Sequence, residues 1–473
     1  MKKSSLVFSV VSTAALFANA DVAVDRVVVH QLWPWSQNVK CEYELSGTEP
    51  GKTYDLQVGA SNGSTVIDTS GIGAALVAGE GLFGISGDGT HSFTFDPALL
   101  ADGNVAGWMN FTMSVDVKGE GDPLASREEY RIFDLDTGAI TTLTRKDIYN
   151  RPDLYGDVIT NYAAVGEGFT TPLTDVFIAT GFTNDLYKTQ KLVMKRIHAK
   201  DVVWNMGPAD GDPNTTTDEW NFNVRRLGES RFQAKFSSDY YVGIYELTQD
   251  QYYRIMGEKP SYYRNVNWWA TRPVESVSQE AFLADGGFAA QATTKCGKTI
   301  TIPTEAQWEF AARAGSDAAT LPNGQEATMA NVEALEHFVQ RGHTGDPVNR
   351  DFANEHGIDG GGTYTVGRGK PNAYGLYDTL ANVSEWTTDL VQKNLASYYA
   401  SSPSPAVDPA PTSENLGSAM HRVYKGSNFL HINRGAWQCR PVARFAESKD
   451  TVWTSQDENV RHLGFRVIST VDD

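Results

Sequence analysis

Ile302-Pro303-Thr304-Glu305-Ala306-Gln307-Trp308-Glu309-Phe310-Ala311-Ala312-Arg313-Ala314-Gly315 is the stretch on which the reading of this chain turns. Thr304 is followed three residues later by Gln307. That is the spacing of a capping box, in which a hydroxyl and a side-chain carbonyl each accept one free N–H at a helix start. Gly315 supplies a stop, because glycine takes the left-handed turn that ends helices. A short helix between the two is expected. Working outward, Thr248 with Gln251 repeats the cap signal after Tyr241-Val242-Gly243-Ile244-Tyr245-Glu246-Leu247. Pro273-Val274-Glu275-Ser276-Val277-Ser278 stands between the two helix starts. Downstream come Pro371-Asn372-Ala373-Tyr374-Gly375-Leu376-Tyr377-Asp378 and Ala381-Asn382-Val383-Ser384-Glu385-Trp386. The last are Arg422-Val423-Tyr424-Lys425-Gly426-Ser427 and Leu463-Gly464-Phe465-Arg466-Val467.

The first quarter of the chain has a different texture. Residues 21 to about 118 alternate polar and apolar in short runs, such as Lys40-Cys41-Glu42-Tyr43-Glu44-Leu45 and His91-Ser92-Phe93-Thr94-Phe95-Asp96. Turn clusters at Pro50-Gly51, Asn62-Gly63, Gly87-Asp88-Gly89 and Asp102-Gly103 separate them. Short strands spaced by turns predict a small all-β sandwich-like domain. Residues 119–187 read as a connector with one short strand at Glu129-Tyr130-Arg131-Ile132-Phe133, and residues 188–473 as a second domain opening on Lys191–Ile197. Lys2 and Lys3, the apolar run Leu6 to Phe17 and Ala18-Asn19-Ala20 make residues 1–20 a signal peptide, which predicts a secreted, periplasmic or cell-surface protein. No later apolar run approaches the roughly 20 residues that span a bilayer, so no membrane span is expected after cleavage.

Composition narrows the classes. The chain has 473 residues, a formal charge of −18 and 41% hydrophobic residues, the make-up of a globular protein. The acidic surplus argues against nucleic acid as a partner, since no basic excess is available to displace phosphate counterions. The three cysteines, Cys41, Cys296 and Cys439, are too few and too scattered for structural zinc. One disulfide among them is open, with no pairing readable. Gly79-Glu80-Gly81-Leu82-Phe83-Gly84 satisfies a dinucleotide fingerprint but lies among short strands with no βαβ unit, so it reads as a chance match.

The ordered motifs of the second half resemble the formylglycine-generating enzyme, or sulfatase-modifying factor, family. The resemblance rests on PTEAQWEFAAR, PNAYGLYD and LGFRV and covers roughly residues 188–473. It implies an α+β, C-type-lectin-like fold. It also implies a chemistry: a copper-bound cysteine pair that uses oxygen to convert a sulfatase cysteine to formylglycine. Soft thiolates are what hold Cu(I). Aligned without gaps between Lys425-Gly426 and Arg444, the two family cysteine positions fall on His431 and Ala436. Neither supplies a thiolate, and Cys439 is alone, so copper is not expected. A related branch that builds carbon–sulfur bonds on iron takes histidines from a helical domain, whereas the first domain here reads as β.

Calcium is the cofactor the resemblance keeps. Its family ligands match Asp378, the carbonyls of Ala381 and Val383, and Glu385, a clustered oxygen set that suits a hard cation. A second family site would take Asn331, the carbonyl of Val332 and an acid near Asp359. The segment before Gly464-Phe465-Arg466 lines the binding face in this fold. It offers His431, Asn433, Arg434, Trp437 and Arg440 as ligand-binding candidates, with Arg444 and Trp437 equally readable as structural. Aromatic and arginine side chains there suit an extracellular glycan or a protein partner. The sequence therefore points first to a non-catalytic, calcium-stabilised binding protein. A sulfatase-maturing oxidase with a rearranged site and a structural surface-assembly protein are the alternatives.

Overall fold

The computed structural model describes residues 22–31, 36–61, 65–100, 112–155, 177–209, 212, 215, 220–221, 226–314, 321–322, 325–335, 362–413, 415, 421–429, 436–449 and 462–471. They divide into two compact units. The first takes the described residues up to 128, between 143 and 157, and between 179 and 181; the second takes the rest. The leader read at residues 1–20 and the turns at Asn62-Gly63 and Asp102-Gly103 lie outside the described residues.

In the first unit the alternation folds as expected. Its strands are β1 (Ala23–Gln31), β2 (Val39–Ser46), β3 (Tyr54–Ser61), β4 (Val66–Ile67), β5 (Leu76–Gly79), β6 (Gly89–Phe95) and β7 (Thr112–Glu120). One sheet runs β1-β2-β6-β5 and the other β4-β3-β7. Cys41 sits opposite Phe93 and Val58 opposite Val115. Cys41, Tyr43, Leu56, Val58, Phe93, Phe95 and Val115 fill one core between the two sheets. Every second side chain points inward because the strand period is two. The glycine loop after β5 is bound by its own neighbours. Asn150 Oδ1 accepts from the Leu82 amide at 2.6 Å and Asp55 Oδ1 from the Gly84 amide at 3.0 Å. These two amides are therefore not open to a phosphate.

The second unit is α+β. Its main strands are β8 (Glu128–Asp134), β9 (Ile140–Thr144), β10 (Lys191–Ile197), β11 (Tyr240–Gly243), β12 (Ile300–Thr301), β13 (Ser384–Leu390), β14 (His421–Lys425), β15 (Phe445–Ser448), β16 (Leu463–Gly464) and β17 (Ile468–Thr470). Here the reading of 119–187 as connector is corrected. β8 and β9 are the outer strands of a six-stranded sheet ordered β12-β17-β11-β10-β8-β9. β8 pairs antiparallel with β10, Phe133 opposite Leu192. In the second sheet β13 lies between β14 and β16, antiparallel to the first and parallel to the second. The core holds Phe133, Met194, Tyr241, Trp386, Tyr424 and Phe465. Phe282 stacks on Phe465 at 3.9 Å between ring centroids.

The helices include α1 (Gln249–Met256), α2 (Phe288–Cys296), α3 (Glu305–Arg313) and α4 (Met329–Leu335). Both expected capping boxes form: Thr248 with Gln251 and Thr304 with Gln307. α3 ends at Arg313, just before the expected stop. Ala314 takes a left-handed turn at the helix end, at φ 46°. Gly315 itself is outside the described residues.

Candidate functional site

α3 carries its charged residues inward. Glu305, Trp308, Glu309 and Arg313 are all buried, and each has a partner. Glu305 accepts from Arg444 Nε at 2.6 Å and Nη2 at 3.0 Å, a bidentate pair. Glu309 Oε2 accepts from Lys425 Nζ at 3.1 Å and Oε1 from the Gly207 amide at 2.8 Å. Burial pushes Glu305 up, but the charges of Arg444 and Lys425 outweigh it and hold the carboxyl below its ordinary range. Trp308 Nε1 donates to Glu385 Oε2 at 2.5 Å. Glu385 is in turn gripped by Arg466, with Nη2 to Oε1 at 2.7 Å and Nε to Oε2 at 3.0 Å. The WE, YKG, ARF and GFR motifs thus meet on one helix as a chain of buried ion pairs. Such pairs specify which segments meet more than they add net stability.

Beside Glu385 the chain makes a tight loop at 378–383. Asp378 and Asn382 both hold left-handed backbones, at φ 57° and 65°. Short polar side chains tolerate that region better than most. Asn382 pins the loop: its Oδ1 accepts from the Tyr364 amide at 3.0 Å and its Nδ2 donates to Glu246 Oε2 at 2.6 Å. Glu246 Oε1 also accepts from the Val383 amide at 3.0 Å. Sequence reading missed Glu246, because nothing in Tyr245-Glu246-Leu247 distinguishes a buried carboxylate from a solvated one. Burial raises Asp378 to about 6. Burial, then the neighbouring charges of Asp378 and Glu385, push Glu246 well above its ordinary value.

This geometry can be set against the expected calcium ligands. Asp378 Oδ2 accepts from the Gly367 amide at 2.6 Å, while its Oδ1 is buried with no hydrogen-bond partner among the described residues. An orphaned carboxylate oxygen in a buried acidic loop fits a hard cation. Ala381 and Val383 lie buried in the same loop. Glu385 fits only in part, since Arg466 and Trp308 already occupy both of its oxygens. Among the described residues no three His, Cys, Asp or Glu side chains gather to hold a metal. At the second expected site Val332 is buried in α4 and Asn331 Nδ2 donates to the Glu326 carbonyl at 2.9 Å. Asp359 lies outside the described residues.

The segment aligned with the family cysteines is partly described. His431, Asn433 and Arg434 fall outside the described residues. Ala436 opens a 3-10 turn, Ala436–Cys439, and packs with Cys439, Leu321, Val332, Leu335, Leu380 and Ala381 in a small apolar core. Cys296 belongs to the larger core, and none of the three cysteines is in a disulfide. Arg440 corrects the sequence reading. It is fully buried and ion-paired to Asp212 and, at 3.0 Å, to Glu229, so it does not face a ligand. Trp437 is half-buried between the Arg226 guanidinium, 4.0 Å from its ring centroid, and Phe445. Arg444 takes its structural reading, in the pair with Glu305.

The sulfatase-modifying factor enzyme 1-like domain family matches residues 204–471, more than half of the chain. The chain belongs to this family. Within it, the formylglycine-generating enzyme of Thermomonospora curvata is 35% identical over 166 residues, which are 35% of this chain and 48% of that protein. The formylglycine-generating enzyme of Mycobacterium tuberculosis is 31% identical over 176 residues, 36% of this chain and 50% of that protein. The chain thus spans about half the length of these two relatives. Among solved structures, Treponema denticola variable protein 1 aligns at 21% identity and a TM-score of 0.40, over 59% of this chain and 96% of that one. α3 and the Gly464-Phe465-Arg466 segment, both within the matched residues, are the parts of this chain that form the ion-paired hub described above. Family membership does not by itself assign a reaction.

Proposed function

We propose that the chain is an exported, non-catalytic binding member of the family, stabilised by calcium, that engages an extracellular glycan or protein partner. The observation that carries the first part is Ala436. A methyl side chain stands at the second cysteine position, packed in a core whose one thiol, Cys439, is itself buried. A lone buried sulfur cannot supply the two donors that Cu(I) oxidation needs. Incubation of the full chain with Cu(I), oxygen and a peptide carrying the sulfatase cysteine motif should leave the peptide cysteine unchanged. Oxygen-dependent conversion to formylglycine overturns the reading. The names of the two relatives favour the alternative, a formylglycine-generating oxidase acting through Cys439. Cys439→Ser then abolishes conversion, whereas it leaves a binding function in place.

Calcium rests on the unpartnered Asp378 oxygen. The ion would be held by Asp378, the carbonyls of Ala381 and Val383, and Glu385 shared with Arg466. A ligand bound only by the folded chain raises its melting temperature by mass action. Excess chelator should therefore lower the melting temperature, and Asp378→Asn should remove most of that difference. An unchanged midpoint with chelator rules out this ligand set. Secretion is tested by fractionation of the native host: cytoplasmic recovery of the intact leader counts against it.

A further inference from the structure

Lys195 and Glu129 meet where water is excluded. The Lys195 side chain is 3% exposed and the Glu129 side chain 0%, and Nζ of the first contacts Oε2 of the second. Lys195 lies on β10 and Glu129 on the neighbouring antiparallel strand β8, whose Tyr130 stands opposite Lys195 in the ladder. The buried Tyr130 ring has its centroid 5.1 Å from Nζ. A second group reaches the same carboxylate oxygen. His198 Nε2 donates to Glu129 Oε2 at 3.2 Å, since a carboxylate only accepts. Its Nδ1 lies 3.3 Å from Asp239 Oδ2, which orients the ring. Asp239 is itself fixed: Arg196 Nε donates to Oδ2 at 3.1 Å and the Lys200 amide to Oδ1 at 3.0 Å.

Burial pushes Glu129 up, but the charges of Lys195 and His198 outweigh it and hold the carboxyl below its ordinary range. The resting arrangement is therefore ammonium against carboxylate. That pair has the composition of an amide plus one water. Keeping two charges out of water carries a desolvation penalty that an amide built from the same atoms does not incur. Paired strands hold amine and carboxyl together in every folded molecule, so their encounter is intramolecular.

We propose that Lys195 and Glu129 condense into an isopeptide bond that staples β8 to β10. The Nζ–Cδ bond forms and the Cδ–Oε2 bond breaks. Two of the three ammonium protons leave with Oε2 as water and the third stays on the amide nitrogen, so atoms and charge balance without an oxidant. His198 passes its Nε2 proton to the departing Oε2 and recovers one from Nζ. Lys425 and Glu309 supply the contrast, a buried pair 3.1 Å apart. The other partners of Glu309 are the Gly207 amide and Arg313, with no imidazole on it among the described residues. That pair stays ionic. The inference is independent of the binding reading above.

The test is mass spectrometry of the full chain after denaturation and trypsin digestion. The digest should contain a branched peptide joining the segments that carry Glu129 and Lys195, one water lighter than their sum and uncut after Lys195. Lys195→Arg keeps the positive charge but removes the amine, so its digest should hold only linear peptides. His198→Gln, checked for folding by circular dichroism, should lower the branched fraction about tenfold or more at a fixed time after synthesis. Peptides carrying Lys425 and Glu309 should be linear throughout. Linear Glu129 and Lys195 peptides from the native chain overturn the inference, which is the outcome for a plain ion pair. A branched fraction unmoved by His198→Gln in folded protein overturns the proton transfer through His198.

Discussion

Asp389 shows how burial of one carboxyl governs the response to pH. It is 3% exposed at the end of β13, and its Oδ2 accepts from the Glu305 amide at 2.7 Å at the start of α3. Burial, reinforced by the charge of Glu305, raises it to about 8 from an ordinary 3.8. The folded chain therefore keeps a proton that the unfolded chain gives up near pH 4. Stability from this group is fully present below that ordinary value and is lost as pH climbs to about 8. The urea midpoint should fall between pH 6 and 8, and Asp389→Asn, which keeps the acceptor but cannot ionise, should flatten that fall. An unaltered slope in the variant excludes Asp389 as its source. None of this was legible beforehand. Asp389 in Thr388-Asp389-Leu390 carries no pattern, since the Glu305 charge and amide that meet it belong to α3, far away in sequence. Arg440 was misjudged for the same reason: its partners Asp212 and Glu229 are more than two hundred residues upstream.

At the scale of elements, local chemistry was readable where both partners lie within one turn. The boxes at Thr248 and Thr304 needed only an (i, i+3) spacing. Thr304→Ala deletes the hydroxyl that accepts from the Gln307 amide at 3.1 Å. It should cost about 1 kcal/mol, the usual worth of an N-cap. A denaturant titration checks this, and Thr304→Ser should restore most of the loss. At the α3 end a left-handed residue precedes Gly315, because glycine is the preferred left-handed residue but not the required one. Here Ala314 takes φ 46° while its N–H donates to the Phe310 carbonyl at 3.1 Å. The β8–β9 pair was under-read more seriously. A strand at 129–133 was visible, but its partner β10 lies some 60 residues on, and register over that distance is a tertiary fact.

At the scale of the whole molecule, the two larger cores among the described residues lie in different units, which implies two separable transitions. Phe133 lies fully buried in the second unit and Phe93 fully buried in the first. Phe133→Ala should destabilise the second transition by about 3–5 kcal/mol, the range for deleting a buried ring. It should leave the first nearly unmoved, and Phe93→Ala should do the reverse. Differential scanning calorimetry decides: one merged transition shifted by both variants would refute independent units. The Phe133 variant also asks whether the supposed connector is structural, because a strand merely draped on the surface would not carry such a cost.

The amino-acid order alone settled the α+β class of the second half, the sandwich pattern of the first, the helix caps and the family resemblance. Each is written in short-range spacing, which survives without knowledge of the fold. Folding decided what the charged motif residues do. Glu305, Glu309, Glu385, Arg444 and Arg466 look like a catalytic inventory in one dimension. In three they are neutralised, Glu305 by Arg444, Glu385 by Arg466 and Glu309 by Lys425, because a buried charge must find an opposite charge and these arrive from distant segments.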